Sequence, residues 1–234
     1  MNIIKETTNK YGYRIIKETN SQNQLIKVIA FRPNTETIWH ITEYNPQTGN
    51  ETKSTYYKSD GTTIWHIDEF DPKTGTKTKE TWYNSDGKTL HSITKYDLET
   101  GKKIKHTSYK EDGEFLFIAK YDPKTGNQIK YTSYGIHAST ISCITEYNPQ
   151  TGNETKETWY NSDGKTIDHI YEYDPFLKRT YYHDDGKTIW YIIEFNPYNS
   201  MYTRKIIKTS LDDYNNENVC LIELSKKKIN KKEN

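Results

Sequence analysis

Two turn signals recur along this chain at a fixed interval, and a fixed interval constrains the fold more than any single residue does. The glycines of Thr-Gly steps fall at Gly49, Gly75, Gly101, Gly126 and Gly152, with spacings of 26, 26, 25 and 26 residues. The glycines of Asp-Gly steps form a second series at Gly61, Gly87, Gly113, Gly164 and Gly186. Between successive turns lie runs of about eight residues, the length of one strand. Each unit of roughly 26 residues therefore holds two turns and two strands, one β-hairpin, and about seven copies fit the chain. NPQTGNETKSTYYKSDG at 45–61 and NPQTGNETKETWYNSDG at 148–164 are nearly duplicates.

The first run of the unit reads Ile38-Trp39-His40-Ile41-Thr42-Glu43-Tyr44, and the second carries Lys-x-Thr-x-Tyr, as in Lys79, Thr81 and Tyr83. A spacing of two puts those three side chains on one face of a strand. Asp71-Pro72-Lys73-Thr74-Gly75 has proline where φ is near −65° and glycine where φ is positive, the chemistry of a type I turn closed by a G1 bulge. Facing Phe70 with Lys77 and counting back predicts Asp68 opposite Lys79, Trp65 opposite Trp82 and Ile64 opposite Tyr83. At the other turn, Asp60-Gly61 predicts a two-residue type I′ connection pairing Tyr57 with Ile64. The result is an Ile–Tyr ladder on one face, with Trp39, Ile41, Trp65, Ile67 and glutamates such as Glu43 on the other.

Neither predicted face is clean enough for a two-layer sandwich. The expected fold is all-β: tandem antiparallel hairpin repeats forming an elongated, twisted single-layer meander or an open β-solenoid, stabilised repeat by repeat. The expected organisation is an N-terminal segment with a worn capping strand at 1–37, hairpin repeats at 38–202, a degenerate capping hairpin at 203–225 and a basic tail at 226–234. His137-Ala138 in place of Asp-Gly, and the shortened turn at Asp174-Pro175-Phe176-Leu177, mark two irregular repeats.

Composition alone would suggest disorder, since 32% of the 234 residues are hydrophobic, 28% are charged and mean hydropathy is −1.04. The 14% aromatic content, with 21 tyrosines and only 7 prolines, argues for pleated sheet instead. A balance of 33 basic and 32 acidic side chains lacks the excess of a duplex-binding protein, so nucleic acid is disfavoured as a partner. Cys143 and Cys220 have no metal-ligand spacing and read as free structural thiols. The first residues lack the pattern of an export signal and no run approaches a membrane helix, so the expectation is a soluble chain with no membrane span, cytoplasmic or, after removal of a signal, secreted.

The unit TIWHIxEYDPKTGxxxKxTxYxxDGKT resembles a repeat family of unknown function from phytoplasmas, over residues 38 to about 197. More loosely it is similar to the YD repeats of bacterial toxins, to MORN-type hairpin repeats and to a hairpin-repeat antitoxin family. The resemblance implies a bacterial, host-interacting protein from an AT-rich genome and supplies no activity or catalytic residues. Leu98 in place of proline departs from the pattern at one turn.

Chemistry is hard to find in this chain. His40, His66 and His169 recur at one repeat position where sister units carry Ser92, Cys143 and Tyr191, the behaviour of a packing residue and not of a unique catalytic group. Glu43, Glu69, Glu146, Glu172 and Glu194 recur likewise, replaced by Lys95 and Lys120, which suits cross-strand neutralisation better than acid–base work. No phosphate loop, nucleophile motif or zinc spacing occurs, so no enzyme and no cofactor or metal site is expected. Trp39, Trp65, Trp82, Trp159 and Trp190 form the candidate binding surface, because aromatic rings spaced along a single sheet can stack on a protein or a sugar. A protein partner is the first expectation, a glycan the second, and an antitoxin-like or immunity-like binding role the third.

Overall fold

The computed structural model describes residues 2–135, 140–173, 177–196 and 201–205, with only the backbone course at Leu177, Phe195, Asn196 and 201–205. The irregular steps at His137-Ala138 and Asp174-Pro175-Phe176, together with Cys220, the capping hairpin from 206 onward and the lysine tail, lie outside the described residues. The fold is all-β, a meander of antiparallel hairpins, in two compact units of residues 1–126 and 127–234.

The first unit holds β1 (Ile3–Thr8), β2 (Arg14–Thr19), β3 (Leu25–Phe31), β4 (Ile38–Tyr44), β5 (Glu51–Tyr57), β6 (Ile64–Phe70), β7 (Lys77–Tyr83), β8 (Leu90–Tyr96), β9 (Lys103–Tyr109) and β10 (Phe115–Tyr121). Each strand pairs antiparallel with the next. The stretch 1–37 thus contributes three strands in step with the array, where one worn strand was expected. The second unit repeats the plan with β11 (Gln128–Tyr134), β12 (Ile141–Tyr147), β13 (Glu154–Tyr160), β14 (Ile167–Glu172), β15 (Leu177–Tyr182), β16 (Ile189–Asn196) and β17 (Met201–Lys205).

Within each unit, and among the described residues, strands contact only the strands before and after them. Within each unit no second layer of described residues covers either face, so burial comes from cross-strand neighbours. Among the described residues the buried apolar side chains are Ala30, Phe31, Ala119, Cys143 and Ile192, while threonines such as Thr42, Thr81, Thr107 and Thr145 are buried too. A threonine suits this place because its methyl packs flat on the sheet and its branched Cβ prefers the extended backbone.

The turns correct one expectation. At the Asp-Gly step Gly61 N donates to Lys58 O at 3.0 Å and Lys58 N to Thr63 O at 2.8 Å. Gly61 has φ +72°, but Asp60 is not left-handed, as a type I′ turn would require. Asp60 acts through its side chain, accepting from Thr62 N at 2.9 Å and Thr63 N at 2.8 Å. At the Thr-Gly step Gly75 N donates to Asp71 O at 2.8 Å with φ +76°, and Asp71 Oδ1 accepts from Thr74 N at 2.7 Å.

Both turns are followed by a bulge, and this changes the register. Phe70 faces Lys77 and Tyr57 faces Ile64 as expected. One residue is then skipped beside each turn, so that Glu69 faces Lys79, Asp68 faces Glu80 and His66 faces Trp82. The counted pairs Asp68–Lys79, Trp65–Trp82 and Ile64–Tyr83 are replaced for that reason. Glu69 takes the ion pair with Lys79 at 2.8 Å, and Asp68 finds Lys77 at 2.9 Å. The extra residue also rotates the rest of the strand: Ile67 pairs with Thr55, two residues from Tyr57, and joins the face of Tyr57 and Ile64. The faces are therefore composed differently from the count. One carries Ile41, Thr55, Tyr57, Ile67 and the Glu–Lys row, and the other carries His40, Tyr56, His66, Trp82 and the polar row of Thr42, Ser54, Asp68 and Glu80.

Candidate interaction surface

Three of the five tryptophans occupy one structural position. Ala30 pairs with His40 and Phe31 with Ile38, so Trp39 is the skipped residue; Trp65 and Trp190 are skipped in the same way. A bulge leaves its extra residue without a cross-strand partner and re-aims its side chain. Trp39 is 36% exposed, Trp65 45% and Trp190 55%, and the in-register Trp159 is 39% exposed as well. Trp82 and Trp159 instead sit in register, opposite His66 and His169, and Trp82 is half-buried. The bulges were not legible in the sequence as counted, although the tryptophan that precedes His40, His66 and Tyr191 at one repeat position was the available signal.

In the first unit the rings join into a ladder across β4 to β7. Centroids are 5.4 Å apart for His40–Tyr56, 4.2 Å for Tyr56–His66 and 4.2 Å for His66–Trp82, the last two stacked. Trp65 meets His66 and Trp82 edge-on at 5.1 Å each, and Trp39 meets His40 at 4.8 Å. Trp65 and Trp82 thus touch without being register partners. In the second unit Trp159, His169, Tyr181 and Tyr191 make the corresponding run, with centroids 5.8, 5.3 and 4.3 Å apart.

The recurring histidines behave as members of these ladders. Burial holds His40 and His66 below the usual imidazole range, against an opposing pull at His66 from Asp68 and Glu80. Glu80 is raised by burial, but the hydrogen bonds from Tyr96 OH and Trp82 Nε1, both 2.8 Å, outweigh it and leave the carboxyl below its ordinary value. Carboxylate, indole and phenol therefore brace one another under the exposed Trp65. Cys143 is free and buried, and burial pushes its thiol up to about 11, far from the range of a reactive thiolate.

Among the described residues no group of three His, Cys, Asp or Glu side chains is placed to hold a metal ion. No described helix is long and apolar enough to cross a membrane. An open hollow of about 270 Å³ lies at the Asp-Gly turns, lined by Asn84, Ser85, Asp86, Thr89 and Glu111.

A family model described as "Protein of unknown function (DUF2963)" matches this chain in overlapping windows at residues 9–56, 31–82, 57–108, 83–133, 109–159, 134–176 and 160–210. Each window spans about two hairpins, so the family's unit and the structural repeat coincide. No curated protein matches. Among solved structures, a mutant Staphylococcus aureus TarM in complex with Fondaparinux, alpha-GlcNAc-glycerol and UDP is 12% identical at a TM-score of 0.28, over 59% of this chain and 21% of that one. A porin-like protein from Bacteroides uniformis is 15% identical at 0.22, over 87% and 68%. The TcdB2-TccC3 structure is 10% identical at 0.22, over 87% and 15%. This chain therefore spans about a fifth of the first of these proteins. Likenesses this weak carry neither fold nor activity across.

Proposed function

We propose that this chain, which belongs to the family described as "Protein of unknown function (DUF2963)", is a non-enzymatic protein-interaction module of a bacterium, displaying a repeat surface to a partner protein. The supporting observation is the position of Trp39, Trp65 and Trp190: each is lifted out of register by a bulge and exposed beside a stacked aromatic ladder. Large exposed rings on an open sheet suit protein docking, where tryptophan and tyrosine supply most of the binding energy. An enzyme needs unlike polar groups converging on one point. Here the polar groups repeat along a row and brace the rings.

The same rings could stack on a sugar, so the test carries both arms. The full chain is compared with a Trp39→Ala plus Trp65→Ala variant, by quantitative capture from bacterial and host lysates and on a glycan array. The expected result is a protein partner retained by the parent chain and lost by the variant, with no saturable glycan signal. Saturable glycan binding abolished by the same two substitutions would replace the protein reading with the glycan one.

A further inference from the structure

On the isoleucine face of the first unit one cross-strand row alternates in charge. Glu18, Lys27, Glu43, Lys53, Glu69 and Lys79 face one another in that order across β2 to β7. The alternation then stops. Lys79 faces Lys95, Lys95 faces Lys105, and Lys105 faces Lys120. The second unit keeps the alternation without a break, from Lys130 through Glu146, Lys156, Glu172 and Lys178 to Glu194.

Lys79 is neutralised by Glu69 at 2.8 Å, but Lys95, Lys105 and Lys120 have no ion-pair partner among the described residues. Lys95 and Lys120 are exposed and Lys105 is half-buried. Like charges directly opposite one another on a sheet are destabilising, and the neighbouring strands are about 4.8 Å apart. The isolated chain therefore carries a repulsion that an anionic ligand would relieve. Beside the lysines on the same face runs an apolar row, Ile93–Thr107–Ile118, and beyond it Tyr109 and Phe115 with centroids 5.5 Å apart. Phe115 is 39% exposed.

We propose that β8 to β10 form a docking surface for an acidic, partly apolar protein segment, its carboxylates on Lys95, Lys105 and Lys120 and its apolar side chains on Ile93, Ile118 and Phe115. The apolar rows select a protein over a nucleic-acid backbone, which would use the charge alone. The surface faces away from the stacked Trp–His ladder, so losing one binding function leaves the other intact.

The test measures fluorescence anisotropy of the full chain with a labelled peptide of about twelve residues alternating glutamate and valine, at low and moderate salt. Competitors are the alternating glutamate–serine peptide and an oligothymidylate of equal charge. Lys95→Glu plus Lys120→Glu restores the alternation, so this variant is expected to melt about 3 °C higher while binding the glutamate–valine peptide at least about tenfold more weakly. Lys95→Gln plus Lys120→Gln is expected to fall between. Retention of binding by the Lys95→Glu plus Lys120→Glu variant would overturn the proposal, as would a lower melting temperature for it. Equal competition by oligothymidylate would also overturn it, in favour of a general polyanion surface.

Discussion

At the Asp-Gly edge a Cβ added to Gly164 would lie 2.7 Å from both Ile141 N and Thr140 Cα, whereas at the Thr-Gly edge one added to Gly101 would meet nothing within 4 Å. Both glycines have positive φ, +65° and +68°. The two ends of the hairpins thus use the same residue for different reasons. Most Asp-Gly turns nest against the preceding backbone, Gly61 on Thr37 and Ile38 and Gly186 on Thr166 and Ile167, while Gly113 meets nothing within 4 Å. Arg32 Nη2 donating to Tyr57 O at 2.9 Å and Lys58 Nζ to Asn84 O at 3.1 Å tie the same edge together. Thr-Gly turns stand farther apart and are bridged by side chains, Thr48 Oγ1 to Pro72 O at 2.6 Å and Asn50 Nδ2 to Lys73 O at 2.9 Å. One edge depends on the absence of an atom and the other on the presence of an amide.

The contrast can be broken at either edge. Gly164→Ala combines left-handed strain with a backbone overlap and is expected to destabilise by roughly 3 kcal/mol, read by chemical denaturation. Gly101→Ala carries the strain alone and is expected to cost about 1 kcal/mol. Equal losses at the two glycines would mean that nesting is not what distinguishes the edges. Asn50→Ala removes the bridge to the next turn at Lys73 O and is expected to cost roughly 0.5–1 kcal/mol, with faster amide exchange around Thr74. The smallest effect is acid sensitivity. Hydrogen bonds led by a threonine hydroxyl hold Asp60, Asp86 and Asp185 down to about 2. An unfolded aspartate titrates near 3.9, so the stabilisation is fully present above about pH 4 and fades as pH falls toward about 2. At the Thr-Gly edge Asn45 and Asn148 make the corresponding bonds to Gln47 N and Gln150 N, each 2.8 Å, and cannot titrate. Exchange protection at Thr63 and Thr89 is expected to drop through that window while the turns at Asn45 and Asn148 keep theirs. Asp86→Asn is expected to remove the pH dependence at its own turn.

The hairpins were legible because turn chemistry is local: Asp-Gly and Thr-Gly steps specify where the chain reverses whatever surrounds them. The pairs nearest the turns, Tyr57 with Ile64 and Phe70 with Lys77, followed from counting. Everything beyond the first pair did not, because each turn is followed by a bulge and one skipped residue reverses the face of all that follow. That is why Asp68 meets Glu80, and why Ile67 crosses to the tyrosine face. The recurrence of the tryptophans was visible in the sequence, but not that Trp39, Trp65 and Trp190 share one bulge position while Trp82 and Trp159 lie in register. Cross-strand neutralisation was anticipated from the recurring glutamates; opposite charges alternate from Glu18 to Lys79, and Glu69 and Lys79 close as an ion pair. The sequence shows Lys95 and Lys120 in place of the glutamates, and the strands set side by side show that they face Lys79 and Lys105.

By itself the sequence determined the repeat, its two turns and the antiparallel order of strands, all consequences of local backbone preference and composition. Tertiary structure decided which residues share a face, which tryptophans stand free and where three lysines meet without an acid. Those outcomes depend on register, and register is set by how neighbouring strands settle past each bulge, a long-range choice that no single strand encodes.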